Sequence, residues 1–88
     1  MNQTLYLYTT LGCHLCEQAL AIVQPVLAET SVENGVILEL VEISEQESWV
    51  EQYGIRIPVI RLANQEEELG WPFDADAVVR YLARVSKV

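Results

Sequence analysis

The chain has 88 residues, 51% of them apolar, and a formal net charge of -8 from 5 basic and 13 acidic side chains. That length supports a single domain over residues 1–88, because two domains would each lack an adequate core. An acidic surface repels phosphate backbones and anionic lipid, so we expect no nucleic-acid and no membrane partner. The first four residues lack the features of a signal peptide, and no apolar run is long enough to cross a bilayer. We therefore expect a cytoplasmic protein.

The first predicted elements are a strand and a helix, and the only two cysteines of the chain lie where the two meet. An alternating apolar run predicts a strand over residues 4–9. Gly12 then permits a turn, and apolar residues at helical spacing after Cys13 predict a helix to about residue 29. Pro25 lies inside that helix, where proline removes a hydrogen bond, so we expect a kink or a break near Ala21.

The middle of the chain predicts a polar connection, a buried strand and a short helix. After the connection at residues 31–35, residues 36–43 are almost continuously apolar, which is typical of a strand covered on both faces and parallel to the first. Ser44 is expected to cap the short helix in a capping box with Glu47, and Gly54 to end it. The side chains expected to face inward from this helix are Trp49, Val50 and Tyr53.

The last third predicts two strands and a helix. Residues 55–62 form the third strand, with Pro58 near its start, and a turn at residues 63–65 leads into an edge strand whose glutamates form a solvated face and not a metal site. Asp74 is expected to cap the final helix. The apolar stripe of that helix is Ala75, Val78, Val79, Leu82 and Val85. This order predicts an α/β fold with a four-stranded mixed sheet and helices on its faces.

The two cysteines favour redox chemistry. Residues at positions i and i+3 share a helix face, and the Cα separation there suits a disulfide. The start of the helix favours a thiolate and lowers its pKa, so Cys13 is predicted to be the exposed nucleophile and Cys16 the shielded resolving cysteine. His14, as an imidazolium, would stabilise the thiolate further. The alternative is that His14 is only an exposed spacer.

Two other hypotheses fit the same pair of cysteines. A zinc site needs four ligands, and this chain offers two thiols and one histidine, so we predict no metal site within one chain. A metal or iron–sulfur carrier that shares ligands with a second molecule stays open. So does an interaction module with unreactive cysteines, for which a Cys13 pKa at or above about 8.5 would be typical.

Two segments together resemble the thioredoxin superfamily and, within it, the small bacterial glutaredoxin-like proteins. These are GCHLC at residues 12–16 and YGIRIPV at residues 53–59. The resemblance implies the minimal thioredoxin fold and a dithiol–disulfide oxidoreductase. It also implies that Pro58 is the family's cis-proline opposite the cysteines, and that the Ile57 backbone pairs with the main chain of a substrate.

The same resemblance bears on substrates. It assigns substrate binding to Ile57, Pro58 and Asp74, the last as the acidic residue that receives the amino group of glutathione. We also expect Gly12 to contact the substrate. The chain lacks the lysine that glutaredoxins commonly carry before the first cysteine. We therefore expect no required cofactor, glutathione as one candidate electron donor, and a monomer whose partner is a disulfide-containing protein or a low-molecular-weight thiol.

Overall fold

In a computed structural model, the chain is described over residues 3–34, 36–63 and 65–85. The elements in chain order are β1 (Gln3–Thr9), α1 (His14–Asn34), β2 (Val36–Glu42), a 3-10 turn (Ile43–Glu45), α2 (Glu47–Tyr53), β3 (Val59–Leu62), β4 (Glu68–Gly70) and α3 (Ala75–Val85). Within these ranges, no helix has the length and apolarity needed to span a membrane.

The four strands form one mixed sheet in the order β2-β1-β3-β4. β1 pairs in parallel with β2 and antiparallel with β3, and β3 pairs antiparallel with β4. The predicted α/β architecture is therefore confirmed. In the parallel pair Thr9 lies opposite Glu42, so β1 and β2 end at the same edge of the sheet.

Alternation along β1 divides the core between the two faces of the sheet. Leu5 and Leu7 point to the face that carries α1 and α3, whereas Tyr8 points to the face that carries α2. The larger cluster consists of Leu5, Leu7, Ala19, Val23, Val26, Leu27, Val36, Ile60, Leu62, Phe73, Val78, Tyr81 and Leu82. The smaller cluster consists of Tyr8, Val41, Ile43, Tyr53 and Val59.

α1 is longer than the sequence predicts. It runs through Pro25 to Asn34, so the expected break is wrong and residues 31–34 are helical instead of a polar connection. Gly35 lies outside the described residues. The buried side chains of Val26 and Leu27 follow the proline directly. Their packing stabilises the helix beyond Pro25 and outweighs the hydrogen bond that proline removes.

The connection from β2 to α2 also differs from the prediction. β2 ends at Glu42, and Ser44 lies in the 3-10 turn, so Ser44 does not cap α2. The N-cap residue is Gln46, which makes no side-chain capping bond, and no capping box with Glu47 forms. Instead the backbone N–H of Ser44 donates to Glu42 Oε2 at 3.1 Å. The carboxylate at the end of β2 thus caps the 3-10 turn, and α2 has no side-chain cap.

α2 packs through part of the expected face. Tyr53 is buried and Trp49 packs against the smaller cluster, but Val50 is 45% exposed, so its inward orientation is wrong. Gly54 follows the helix as predicted. A Cβ at Gly54 would lie 2.5 Å from the Val50 carbonyl oxygen, which is closer than real contacts allow.

β3 is half as long as predicted because residues 55–57 form a turn. The backbone N–H groups of Arg56 and Ile57 both donate to the Tyr53 carbonyl, at 2.8 and 3.0 Å. The strand begins only after Pro58, and the Ile57–Pro58 peptide bond is cis. Ile55 is fully exposed in this turn.

The region from β4 to α3 brings further corrections. β4 begins at Glu68 and not at residue 66. The predicted turn at residues 63–65 includes Asn64, which lies outside the described residues. The Trp71–Pro72 peptide bond is also cis, which the sequence did not predict.

The packing of α3 differs from its predicted stripe at three positions. Val78 and Leu82 are buried as expected, whereas Val79 is 45% exposed. Ala75 is exposed as well. Tyr81, which the stripe omits, is completely buried. The side chain of Val85 lies outside the described part of the chain.

Candidate dithiol site

The two cysteines lie at the junction of β1 and α1 and are joined by a disulfide bond. Gly12 adopts a φ of 80°, a left-handed conformation that favours glycine, and so allows the turn that precedes Cys13. The backbone N–H of Cys13 donates to the Thr10 carbonyl at 3.3 Å and closes this turn. α1 begins at the next residue, so Cys16 lies in its first turn.

The two sulfur atoms have different surroundings. Cys16 is only 4% exposed, whereas Cys13 is partly exposed. The backbone N–H of Cys16 donates to Cys13 Sγ at 3.1 Å. A donor at that position stabilises negative charge on the Cys13 sulfur, and the start of a helix adds to the effect. The accessible sulfur is thus the one with the environment of a thiolate.

A cleft of about 340 Å³ opens beside the disulfide, between the first two turns of α1 and the ends of β1 and β2. Its lining residues are Leu7, Thr9, Thr10, Leu11, Gly12, Cys13, Cys16, Glu17, Leu20, Leu40 and Glu42. Of the residues predicted for the site, only Gly12, Cys13 and Cys16 are in this lining.

Glu42 is the main residue of this region that the sequence analysis missed. Its Oε2 accepts a hydrogen bond from Thr10 Oγ1 at 2.7 Å and another from the Ser44 N–H at 3.1 Å. The Thr10 and Ser44 hydrogen bonds lower the pKa of the Glu42 carboxyl, so it carries a negative charge near neutral pH. The sequence did contain a sign of this position. Two parallel strands joined by a helix end at the same edge of the sheet, and Glu42 is the last residue of the second strand.

His14 and Asp74 do not line the cleft. The His14 side chain is exposed in the first turn of α1, and its influence on the thiolate stays a prediction. Asp74 Oδ1 accepts a hydrogen bond from the Ala77 N–H at 2.8 Å. Asp74 therefore caps α3 as predicted, while its contact with a substrate stays a prediction.

Ile57 and Pro58 lie at the same edge of the sheet as the dithiol turn. β3 is antiparallel to β1 with Val59 opposite Tyr8, so Pro58 falls beside the end of β1. Pro58 is fully buried, and its carbonyl accepts from the Trp71 N–H at 3.1 Å. Because the Ile57 N–H already donates to Tyr53, only the Ile57 carbonyl could pair with the main chain of a substrate.

The basic side chains are engaged away from the cleft. Each arginine within the described ranges has an acceptor of its own, and none of them lines the cleft. The pairs are Arg56 with Glu68, Arg61 with the Tyr8 hydroxyl, Arg80 with Asp76 and Arg84 with Glu67. Lys87 lies outside the described residues. The described part of the cleft therefore presents negative and apolar groups.

In the described ranges, no three histidine, cysteine or acidic side chains converge as ligands of one metal ion. The glutamates around β4 form no such cluster in the part of the chain that the structure describes, and two of them bind arginine instead. Glu67 pairs with Arg84, and Glu68 pairs with Arg56. The run that was predicted to be a solvated face is therefore partly a set of ion-pair partners.

Comparison with known proteins supports the fold. Residues 4–83 match the family model described as Glutaredoxin-like domain (DUF836). No curated protein sequence matches the chain. The solved structure of XcR50 from X. campestris is 33% identical, covers 92% of this chain and 97% of that chain, and superposes with a TM-score of 0.71. Ne2328 from Nitrosomonas europaea is 29% identical over 92% of both chains, with a TM-score of 0.67.

A more distant likeness extends to thioredoxins. The germline-specific thioredoxin Deadhead of Drosophila melanogaster is 15% identical, covers 96% of this chain and 81% of that chain, and has a TM-score of 0.65. At this identity the likeness concerns the fold alone. Because its family model matches residues 4–83, the chain belongs to the glutaredoxin-like family, and it has the thioredoxin fold.

Proposed function

We propose that the protein is a dithiol–disulfide oxidoreductase that acts on protein or small-molecule disulfides. The observation that carries this proposal is the Cys13–Cys16 disulfide at the start of α1, with a backbone N–H directed at the more exposed sulfur. A pair in this arrangement has one accessible sulfur, which can attack a substrate, and a second, shielded sulfur beside it.

The reaction begins with the reduced protein. The Cys13 thiolate attacks one sulfur of a substrate disulfide, a mixed disulfide forms, and the other substrate sulfur leaves as a thiolate that takes up a proton. Cys16 then loses its proton and attacks Cys13 Sγ, which releases the second substrate thiol and leaves the Cys13–Cys16 disulfide. Two electrons have passed to the substrate.

A dithiol protein or a low-molecular-weight thiol, with glutathione as one candidate, then reduces the pair again. No cofactor takes part in this sequence. A reducing compartment such as the cytoplasm keeps such a pair available for reaction, and we propose that location with the function.

Matched serine variants test the proposal. Cys13→Ser should abolish reduction of a model disulfide, because the remaining cysteine, Cys16, is buried and cannot reach the substrate. Cys16→Ser should still attack but stop at the mixed disulfide, which intact-mass measurement detects as an adduct of one substrate half. Full activity in Cys13→Ser, or equal adducts in both variants, would show that the assignment of roles is wrong.

A separate measurement distinguishes this function from a cluster carrier. The wild-type protein is reconstituted anaerobically with iron and sulfide and examined by visible absorption and iron analysis. We expect a colourless protein without bound iron. A stable, coloured, iron-containing protein would favour the carrier function instead.

A further inference from the structure

The cleft beside the disulfide has the chemistry of a docking site for one class of substrate. We propose that it binds an extended polypeptide segment in which basic and apolar side chains flank the cysteine of the disulfide, and that Glu17 and Glu42 select this segment over anionic thiols. The inference rests on the proposed function and names its substrate class.

The shape of the cleft suits side chains of a polypeptide. Leu7 and Leu20 are among its less exposed lining residues, whereas Leu11 is 92% exposed and Leu40 is 53% exposed. β2 is an edge strand, so the side of Leu40 away from β1 is not covered by another strand of the sheet. Exposed apolar groups around a cavity of about 340 Å³ are typical of a binding site, where the side chains of a partner cover them and remove them from water.

The charge of the cleft determines which segment fits. Glu42 is held in place by Thr10 and Ser44, and Glu17 is exposed in the first turn of α1. Both line the same cavity as Cys13, and no described arginine does. Lysine or arginine beside the cysteine of a substrate would meet opposite charge there. The two carboxylates of glutathione would meet like charge, without the basic contact that could hold them.

The first experiment compares two disulfide-linked peptide dimers, one built from Leu-Lys-Cys-Lys-Leu and one from Leu-Glu-Cys-Glu-Leu, with blocked ends. Reduced protein is mixed with each dimer, and the release of peptide thiol is followed by chromatography. Each rate constant is divided by that of dithiothreitol, a neutral reductant, with the same dimer. We expect the lysine dimer to react about tenfold faster or more at low salt, and the difference to shrink at 0.5 M NaCl.

Three charge-neutralising variants distinguish the effect of the carboxylates in the cleft from the effect of the overall charge of the protein. Glu17→Gln and Glu42→Gln should each reduce the preference for lysine by about threefold or more. Glu39→Gln is the matched control, because it makes the same change on β2 at a residue that does not line the cleft. Glu39 lines a neighbouring cavity with Tyr6 and Arg61, which Leu40 and Glu42 also border. The proposal is overturned if the glutamate dimer reacts as fast as the lysine dimer, or if Glu39→Gln alters the preference as much as the cleft variants.

The second experiment does not depend on thiol chemistry. Oxidised, isotope-labelled protein is titrated with the same peptides carrying serine in place of cysteine, and amide chemical shifts are recorded. The lysine peptide should perturb Leu11, Leu20 and Leu40 in a saturable manner, and the glutamate peptide should not. Equal effects of both peptides, or perturbation elsewhere only, would contradict the docking site. Failure of the oxidoreductase itself would appear as loss of reaction with both dimers while this selective binding persists.

Discussion

At the scale of single residues, one buried phenol connects α3 to the β3–β4 region. Tyr81 is completely buried, and its hydroxyl donates to the Glu67 carbonyl at 2.6 Å and accepts from the Leu62 N–H at 2.9 Å. The hydroxyl thus provides a partner for one backbone group at the end of β3 and for another just before β4. Burial raises the pKa of Tyr81, so the phenol stays protonated and able to donate.

Replacing this phenol tests how much the two hydrogen bonds contribute. Tyr81→Phe keeps the ring but leaves the Leu62 N–H and the Glu67 carbonyl without the hydroxyl, which should lower the free energy of unfolding by about 1–3 kcal/mol. Urea denaturation followed by circular dichroism measures the change. The control is Val79→Ala on the exposed side of the same helix, for which we expect about 0.5 kcal/mol or less. An equal effect of both substitutions would contradict the role of the hydroxyl.

At the scale of elements, a carboxylate joins β4 to the end of α2 and the turn after it. The Tyr53 hydroxyl donates to Glu68 Oε2 at 2.7 Å, and Arg56 forms an ion pair with the same carboxylate. Burial acts to raise the pKa of Glu68, but the hydrogen bonds from Tyr53 and Arg56 outweigh it and leave the pKa below 4.5. This contact connects the segment that carries Ile57 and Pro58 to the edge strand.

The lowered pKa of Glu68 predicts how the free energy of unfolding depends on pH. Because the pKa of Glu68 is lower in the folded state, its contribution to stability is complete above about pH 4.5 and is lost as the pH falls through the folded-state value. Glu68→Gln should therefore lower the free energy of unfolding by about 1–2 kcal/mol at pH 7. The difference from wild type should shrink below pH 4.5. Denaturation at several pH values measures it.

Glu66→Gln is the control for that experiment. Glu66 is exposed in the same stretch of chain, so its substitution should have a small effect that does not follow the same pH profile. A difference between wild type and Glu68→Gln that grows as the pH falls would show that the sign of the linkage is wrong.

At the scale of the whole molecule, negative charge is in large excess. The net charge is -8, and the Cα radius of gyration is 12.3 Å. The Debye length is about 30 Å at 0.01 M salt and about 8 Å at 0.15 M, so charges across the molecule repel one another in the first condition and are largely screened in the second. The Arg80–Asp76 and Arg84–Glu67 ion pairs are exposed, and each contributes little.

Salt should therefore stabilise the protein. Raising NaCl from 0.01 to 0.15 M is expected to increase the melting temperature by a few degrees, about 1 kcal/mol or less in free energy. Differential scanning calorimetry measures this, and KCl in place of NaCl controls for a specific effect of sodium. A melting temperature that falls with added salt would mean that ion pairs outweigh the general repulsion.

Local chemistry made much of the fold predictable. The positions of the strands and helices follow apolar periodicity, Gly12 allows the turn before the cysteines, and Asp74 caps α3. These features depend on residues a few positions apart, so the sequence displays them directly. The extent of α1 was wrong because packing of Val26 and Leu27 overrode the local effect of Pro25. The capping of α2 was wrong because Glu42, two residues before Ser44, holds Ser44 in a 3-10 turn.

The sequence by itself determined that a cysteine pair lies where a strand meets a helix in an α/β domain. Only the tertiary structure decided what surrounds that pair. Thr10 and Glu42 are 32 residues apart and meet because β1 and β2 run in parallel and end in register. That register, which depends on packing across the whole sheet, brings a carboxylate and exposed leucines to the disulfide and so gives the cleft its charge and shape.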